Sequence, residues 1–539
     1  MWWILLVFVI SLSTPSVAQW IRATGSLGAS ADAYRAFGSS LRLPSQSYRA
    51  TARLTVHLFD QIDLPFEVYL NSGRVGYLQP FNQFGVTPRI GNWLQLFAGW
   101  YSTRISDYTF GDQRILGGGV ELTPGNFRLA FHYGYTRQAR NPDTAYRFYG
   151  EYRRRTIIGK LGYEAPGGSF LTLQAMASRD EEGSIRRDSL TPPPQANAVF
   201  SIAGGVGILE GTVRFRGELA LSLFTNNTGA DPDSVGILKL PALARRFLPI
   251  NTTSHADWAA RANLAITPSS SWGITLDGQW IGPGFVTLGF PQLFNDVLDL
   301  GASPYVRLLN GRLLVRATVS RRTNNLRQTR MATLQRWTTT GGISWQLTDA
   351  FSLDVQAAQY TMSSNHTNDT LRADNRTRTL TLTPSWRFRA WGSDQFLSAA
   401  ITYQHTSDRN ILSGRYGTSS ALSASLSHSL QFPSKLNLST SLNVSRTDTY
   451  FQDATFATLT ESLTYPLAER FTLRASLSLG MTGTAVTAFQ LSLRGGLTYS
   501  LGDWGSFTLH LTNNTYDLTA RHGNRYTELF GSLQYSVNF

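Results

Sequence analysis

The chain has 539 residues, 48 Lys+Arg against 35 Asp+Glu, a formal charge of +13 and no cysteine. Charged residues make up only 15%, against roughly 25% in an average soluble protein, yet the 42% apolar content also lies just below the usual ~45–50%. A helical membrane protein is therefore excluded, as are disulfide frameworks, thiolate metal sites and cysteine nucleophiles. At ~100–200 residues per domain the length would accommodate about three or four soluble domains, but no linker divides the chain.

Trp2 to Ile10 is an apolar run, followed by a proline at Pro15 and the small residues Ser16-Val17-Ala18. That order reads as a secretory leader with cleavage after Ala18, although no Lys or Arg precedes the apolar core. The run is far shorter than the ~18–20 residues of a membrane span, and Gln19 is not the cysteine of a lipid-anchored protein. Residues 1–18 are thus expected to be a leader, and 19–539 the mature body. After Ala18 nothing approaches a transmembrane helix, so a membrane location would require a closed β-barrel.

From there the chain alternates. Phe127, Leu129, Phe131 and Tyr133 face Arg128 and His132; Val213, Phe215, Leu219 and Leu221 face Arg214, Arg216 and Glu218. The same period of two returns over Leu436–Ser445, Phe471–Met481 and Phe489–Tyr499, in segments of ~9–12 residues suited to a tilted crossing. A soluble sandwich or propeller would also alternate. Here, however, the polar face is Ser, Thr, Asn, Gln and Arg, the lining of a wet lumen rather than a surface dense in Lys and Glu. Short turns such as Thr123-Pro-Gly-Asn126, Leu309-Asn-Gly311 and Gly502-Asp-Trp-Gly505 alternate with long polar stretches near 104–114, 177–198, 224–257, 282–296, 320–336 and 362–377. Seven short turns lead into an aromatic (Phe127, Phe170, Trp272, Phe351, Phe396, Phe471, Phe507), as a membrane interface would select.

The final strand places Leu529, Gly531, Leu533, Tyr535, Val537 and Phe539 on one face. Alternation ending in a terminal phenylalanine resembles the recognition signal of Gram-negative outer-membrane barrels. The resemblance implies insertion by the outer-membrane assembly machinery, with Leu533, Tyr535, Val537 and Phe539 in the segment it reads. A second set, Gln79-Pro-Phe-Asn-Gln-Phe-Gly85 with Pro88, Thr123-Pro-Gly-Asn-Phe-Arg128 and Tyr133-Gly-Tyr135, resembles uncharacterised outer-membrane barrels of Bacteroidota-type bacteria over the first third of the chain. It implies a location and no chemistry. With both termini in the periplasm, twelve short turns give 2 × (12 + 1) = 26 strands. The weak pattern before residue 93 leaves 24 open.

The expectation is an all-β chain: a single antiparallel up-and-down transmembrane barrel of about 24–26 strands in the outer membrane. Its role would be porin-like, passing polar or anionic solutes. Candidate lumen-lining residues are Arg214, Arg216, Glu218, Arg316, Arg474 and Arg494, unless Asp277 and Asp354 pair with the arginines and merely brace the wall. The longest loop, 224–257, carries Lys239, Arg245 and Arg246 as a candidate constriction or lid. The 282–296 loop, with Phe285, Phe290, Pro291 and Phe294, is too apolar to stand in water, and should pack on the barrel mouth or on another protein. Arg321, Arg322, Arg327, Arg330, Arg336, Arg372, Arg376 and Arg378, read as outer-loop residues, would meet the phosphates of lipopolysaccharide. Expected partners are therefore outer-membrane lipids and lipopolysaccharide, the assembly machinery and an unidentified protein, but no nucleic acid. The strand pattern begins close to Gln19, which argues against a plug domain and a TonB-dependent transporter.

An alternative is a plugged structural or assembly barrel that binds a partner through its loops. A rim-located hydrolase is the third reading. The 8 histidines have no HExxH or GxSxG context, and Asp188-Ser189-Leu190 lacks the lipase glycine. No enzyme activity, cofactor or metal is expected.

Overall fold

In a computed structural model, residues 21–59, 62–72, 85–143, 148–189, 191–232, 249–484, 487–518 and 525–539 are described. The expected leader at 1–18, the stretch Gln79–Phe84 and the candidate constriction residues Lys239, Arg245 and Arg246 lie outside them.

The strand segments form one sheet. Gly85–Val86 and Arg89–Ile90 are two halves of a single crossing, since both pair with Ile62–Asn71 on one side and Leu94–Thr103 on the other. Pro88, which has no N–H to give the ladder, sits between the halves. The sheet therefore has 26 strands, all antiparallel to their chain neighbours. It closes on itself. Ile21–Phe37 pairs with Gln46–Leu58 on one edge and with Arg525–Asn538 on the other, Ser26 opposite Asn538 through to Phe37 opposite Thr527. Backbone hydrogen bonds of 2.8 and 3.0 Å between Gly25 and Phe539 finish the seam. Closure leaves no row of unpaired amides.

Side chains lock the seam as well. Asp32 is buried on the inner wall, where it accepts hydrogen bonds from Ser532 Oγ at 2.7 Å, Ser47 Oγ at 3.2 Å and Arg49 Nη2 at 3.2 Å. Tyr34 Oη donates to Glu528 Oε1 at 2.8 Å.

Both termini lie at one end, with twelve short turns. Thirteen connections, most of them longer, occupy the opposite, loop end. Turn chemistry fits: in Leu309–Gly311, Asn310 and Gly311 take φ of 56° and 88°, the left-handed region these two residue types tolerate best. Uninterrupted strands run from 10 residues (Leu94–Thr103) to 17 (Asp374–Ala390). They climb further than the apolar alternation predicts. The connections are 226–253, 325–333 and 365–373 rather than 224–257, 320–336 and 362–377, and Ala177–Asp180 still belongs to a strand. Arg321, Arg322, Arg336, Arg376 and Arg378 are accordingly strand residues, not loop residues. Near the loop end both faces are polar, so the period-two signal fades while the backbone ladder continues.

Register carries one face round the whole barrel. Leu426 opposes Leu442, Leu442 opposes Leu459, Leu459 opposes Leu479 and Leu479 opposes Leu491. These side chains point away from the lumen and stay uncovered: Leu479 and Leu533 are each 48% exposed. The opposite face carries Ser, Thr, Asn and Arg and is the one against which two loops fold, as described below. Of the seven post-turn aromatics, Phe127, Trp272, Phe351, Phe471 and Phe507 face outward. Phe170 and Phe396 face the lumen instead, because their strands enter the ladder in the other phase: Phe170 lies over Gly205, and Phe396 lies 5.7 Å from the Arg387 guanidinium. At the terminal end, outward rings pair across strands: Phe127–Tyr163 at 5.4 Å, Phe471–Tyr499 at 4.6 Å and Phe507–Tyr535 at 4.9 Å.

Outward cations obey a sharp asymmetry. Arg35, Arg114, Arg155, Arg179, Arg321, Arg376 and Arg378 all lie towards the loop end, and among the described residues no strand carries an outward Lys or Arg in its terminal half. In mid-strand the outward face has one carboxylate among the described residues, Glu461, which accepts a hydrogen bond from Thr440 Oγ1 at 3.0 Å.

Neighbouring positions should therefore respond in opposite ways. For the chain folded into phosphatidylcholine vesicles, Leu477→Arg, in mid-belt, is expected to cost about 2–4 kcal/mol. Ser476→Arg, on the inner wall, should change stability by less than about 0.5 kcal/mol. Urea titration followed by tryptophan fluorescence measures both.

Candidate functional site

Strands of alternating polarity give the lumen a hydrophilic wall, and what stands on that wall decides what can pass. The register places Arg214, Arg216, Glu218, Arg316, Arg474 and Arg494 on the inner face. Arg214, Arg216, Arg316 and Arg474 sit towards the terminal end, whereas Glu218 and Arg494 are near mid-strand.

Two loops enter the lumen and meet there. The first spans 104–112. Its Ser106 hydroxyl donates to Glu218 Oε1, and Arg261 Nη2 lies 2.6 Å from Glu218 Oε2. Arg261 Nη1 also reaches Asp107 Oδ2 at 3.2 Å, so one inward arginine ties the loop to the wall through two carboxylates. Tyr108 Oη donates to Ala260 O at 3.2 Å and accepts from Gln279 Nε2 at 3.0 Å. Burial pushes the Tyr108 phenol up to about 12, so it stays neutral and keeps both bonds across the physiological range. Thr109 Oγ1 donates to Gln174 Oε1 at 3.2 Å.

The second loop, 282–296, locks onto the first. Gly111 N donates to Gly289 O at 3.1 Å, and Thr287 Oγ1 donates to Thr109 O at 2.8 Å. Asn197, fully buried, donates to Val286 O at 3.0 Å and accepts from Leu288 N at 2.9 Å. Asp257 accepts from Gly284 N at 2.8 Å and pairs with Arg327 at 2.8 Å, while Arg330 pairs with Asp296 at 2.9 Å. Two of the arginines read as outer-loop residues thus pair with carboxylates of the chain, Arg327 with the strand residue Asp257 and Arg330 with Asp296 of the loop.

Beneath these polar bonds lies the main apolar core of the described residues. Tyr108, Phe110 and Phe285 are buried against inward Ile115, Ile158, Met176, Val199, Ala220, Ala259, Ile281 and Val297. The 282–296 loop packs on the barrel rather than standing in water, with Phe285 on the inner wall at the loop end. The 104–112 loop reads in the sequence only as one of the polar stretches between strands, with no expectation of its inward course. Its Tyr108 and Phe110, two large rings in a polar connection, are the signal that would have found it.

Alongside the entering loop a cavity of about 1070 Å³ opens between Arg216, Asp277, Asp299, Arg322, Arg336 and Tyr360. Arg322 makes a bidentate pair with Asp299, both contacts at 2.7 Å. Arg336 faces the lumen rather than the membrane side, with its guanidinium 5.5 Å from the Tyr360 ring and its Nε without a hydrogen-bond partner. Among the described residues, none of Arg214, Arg216, Arg316, Arg474 and Arg494 is in an ion pair. The carboxylates expected to brace them are held by neutral donors: Asn263 Nδ2 lies 3.3 Å from Asp277 Oδ1, and Ser344 Oγ and Gln356 Nε2 lie 2.5 and 2.7 Å from Asp354.

No sequence motif marked one further chain of contacts on the inner wall. Thr24 Oγ1 is 2.8 Å from His57 Nε2, and His57 Nδ1 is 2.6 Å from Asp63 Oδ1. These three residues stand on three successive strands and tie them together at the terminal rim. No group of three or more metal-binding side chains occurs among the described residues.

No protein-family model and no characterised relative matches this chain. Solved structures overlap it weakly. The translocation pore of the P pilus usher PapC is 11% identical over 96% of this chain and 99% of that one, with a TM-score of 0.27. The siderophore receptor PirA of Pseudomonas aeruginosa is 12% identical over 96% and 80%, at 0.37, and OccAB2 of Acinetobacter baumannii is 11% identical over 71% and 98%, at 0.29. Overlaps of this size bear on no residue or activity, and the Bacteroidota-type likeness of the first third has no counterpart among them.

The junction of the two loops is tight enough to test. A Cβ on Gly289 would fall 2.1 Å from Thr109 O and 2.5 Å from Met176 Sδ. Gly289→Ala is expected to cost about 1–3 kcal/mol of local packing and to release the pair. Chymotrypsin cleavage at Phe285 and Phe290 should accelerate by roughly tenfold, with the barrel itself still folded by circular dichroism.

Proposed function

We propose that this chain is an outer-membrane channel for polar solutes, with a preference for anions. The outward leucine and aromatic face is uncovered all round a closed sheet, and hydrocarbon is the solvent that leaves such a face stable. At ~4.8 Å between strands and a tilt near ~40°, the sheet traces a perimeter of roughly 160 Å, or a cylinder about 50 Å across if round. Side chains cannot fill that width. The two entering loops line one wall, drawing on inward residues of the strands between Leu94 and Leu308. The outward cations at the loop end support an orientation with that end in the phosphate-rich leaflet. The long loops are then outside, both termini in the periplasm, and the strand carrying Leu533, Tyr535, Val537 and Phe539 available to the assembly machinery.

The observation that carries the anion preference is that five inward arginines stand outside ion pairs against the two bracing carboxylates Asp277 and Asp354, an excess of one sign that concentrates the opposite counter-ion on a low-dielectric wall. A second reading, a plugged barrel that holds a protein partner on its loops, draws support from the buried loop pair. Current separates the two. In planar bilayers under a salt gradient, the reversal potential should report chloride passing more readily than potassium. Replacing Arg214, Arg216, Arg316, Arg474 and Arg494 together by Gln should bring the permeability ratio towards one. Cation preference, or no conductance from inserted protein, contradicts the proposal.

A further inference from the structure

We infer that the outward face near the loop end carries a built site for the phosphate groups of a membrane lipid, on the five strands from Leu313–Asn324 to Ser393–Asp408. The inference rests on the outer-membrane reading above. Register sets Arg321, Trp337, Thr361, Arg376 and Ser407 in one row across these strands. One step towards the terminal end, Gln359, Arg378 and His405 form a second row. Both rows face outward, away from Arg322 and Arg336 on the same strands. At ~4.8 Å per strand, Arg321 and Arg376 stand about 14 Å apart, and Arg376 and Arg378 roughly 7 Å apart along their strand. That span fits two phosphate groups on one headgroup.

The cluster is short of partners inside the protein. None of the three arginines is in an ion pair with any of the described residues. Arg378 Nε reaches only the neutral Gln359 Oε1, at 3.2 Å. Arg321 Nε, Arg376 Nε and His405 Nδ1 are shielded from solvent with no hydrogen-bond partner at all. Shielded polar groups without partners cost free energy, and for the two guanidinium donors an arriving acceptor recovers it. Guanidinium groups bind phosphate oxygens through paired, charge-assisted N–H donors. The Arg321 guanidinium lies 5.5 Å from the Trp337 ring, an indole that marks the boundary between hydrocarbon and headgroups. Immediately below the second row, Leu380 opposes Tyr403 and Leu382 opposes Ile401, so acyl chains meet an apolar wall where the phosphates end.

The test uses the full chain, delipidated in detergent, and native mass spectrometry with three probes: bisphosphorylated lipid A, phosphatidylcholine and inorganic phosphate. Lipid A should bind the wild type, and R321Q/R376Q/R378Q should weaken it by at least about tenfold, with phosphatidylcholine adducts unaltered. R446Q, which removes an outward arginine already paired with Asp448 at 2.8 Å, should bind lipid A as the wild type does. Equal lipid A binding by the folded triple variant overturns the inference. Inorganic phosphate binding as tightly as lipid A also overturns it, because the site would then read a free anion. Insertion of both proteins into pure phosphatidylcholine vesicles is scored separately: failure there removes the membrane reading, whereas loss of lipid A selectivity alone removes only this site.

Discussion

A backbone surrounded by hydrocarbon must satisfy its amides internally, and a sheet does so only when its last strand finds its first. On the membrane reading proposed above, that requirement governs this molecule. The pairing of Ile21–Phe37 with Arg525–Asn538 joins residues about five hundred positions apart, and without it two edges of unpaired N–H and C=O would face lipid. Closure then assigns every alternate side chain to hydrocarbon or to the lumen, so leucine on one face and serine on the other become necessities of the same fold. Side chains reinforce the seam from the lumen side, where Ser532 donates to Asp32 and Tyr34 donates to Glu528.

The lumen has the converse problem. A wide barrel walled by Ser, Thr and Arg has no reason to exclude water, and selectivity has to be built by bringing groups inward. The entering loops use an apolar centre of Tyr108, Phe110 and Phe285 for adhesion and a polar rim of Glu218, Arg261 and Asp107 for position. Because Arg261 is shared between two carboxylates and Arg322 is bound to Asp299, those two charges are spent on structure. The arginines elsewhere on the wall keep their fields directed at the solvent path.

Much of this was legible in the chain. The alternation in Phe471–Met481 fixed both period and face, the short turns put the strand count at 24–26, of which the sheet has 26, and the terminal Phe539 marked the closing strand. What periodicity could not carry was phase and depth. Phe170 and Phe396 follow turns like the other five aromatics yet point inward, because a turn that hands on the chain one residue earlier or later reverses every side chain after it. Arg322 and Arg336 seemed to be loop residues because alternation fades where both faces are wet, although the ladder goes on. The contacts of Ser106 with Glu218 and of Tyr108 with Ala260 span more than a hundred positions. No local pattern encodes them.

The claim on which all of this depends is that the leucine stripe touches lipid while the serine stripe touches water. The chain has no cysteine of its own, so single cysteines can be placed in turn at residues 471–483 in a bilayer-reconstituted protein and labelled with a nitroxide. Collision with oxygen dissolved in the hydrocarbon should peak at 471, 473, 475, 477, 479 and 481, and collision with an aqueous nickel chelate at the positions between. A reversed alternation, or no alternation at all, would contradict the account.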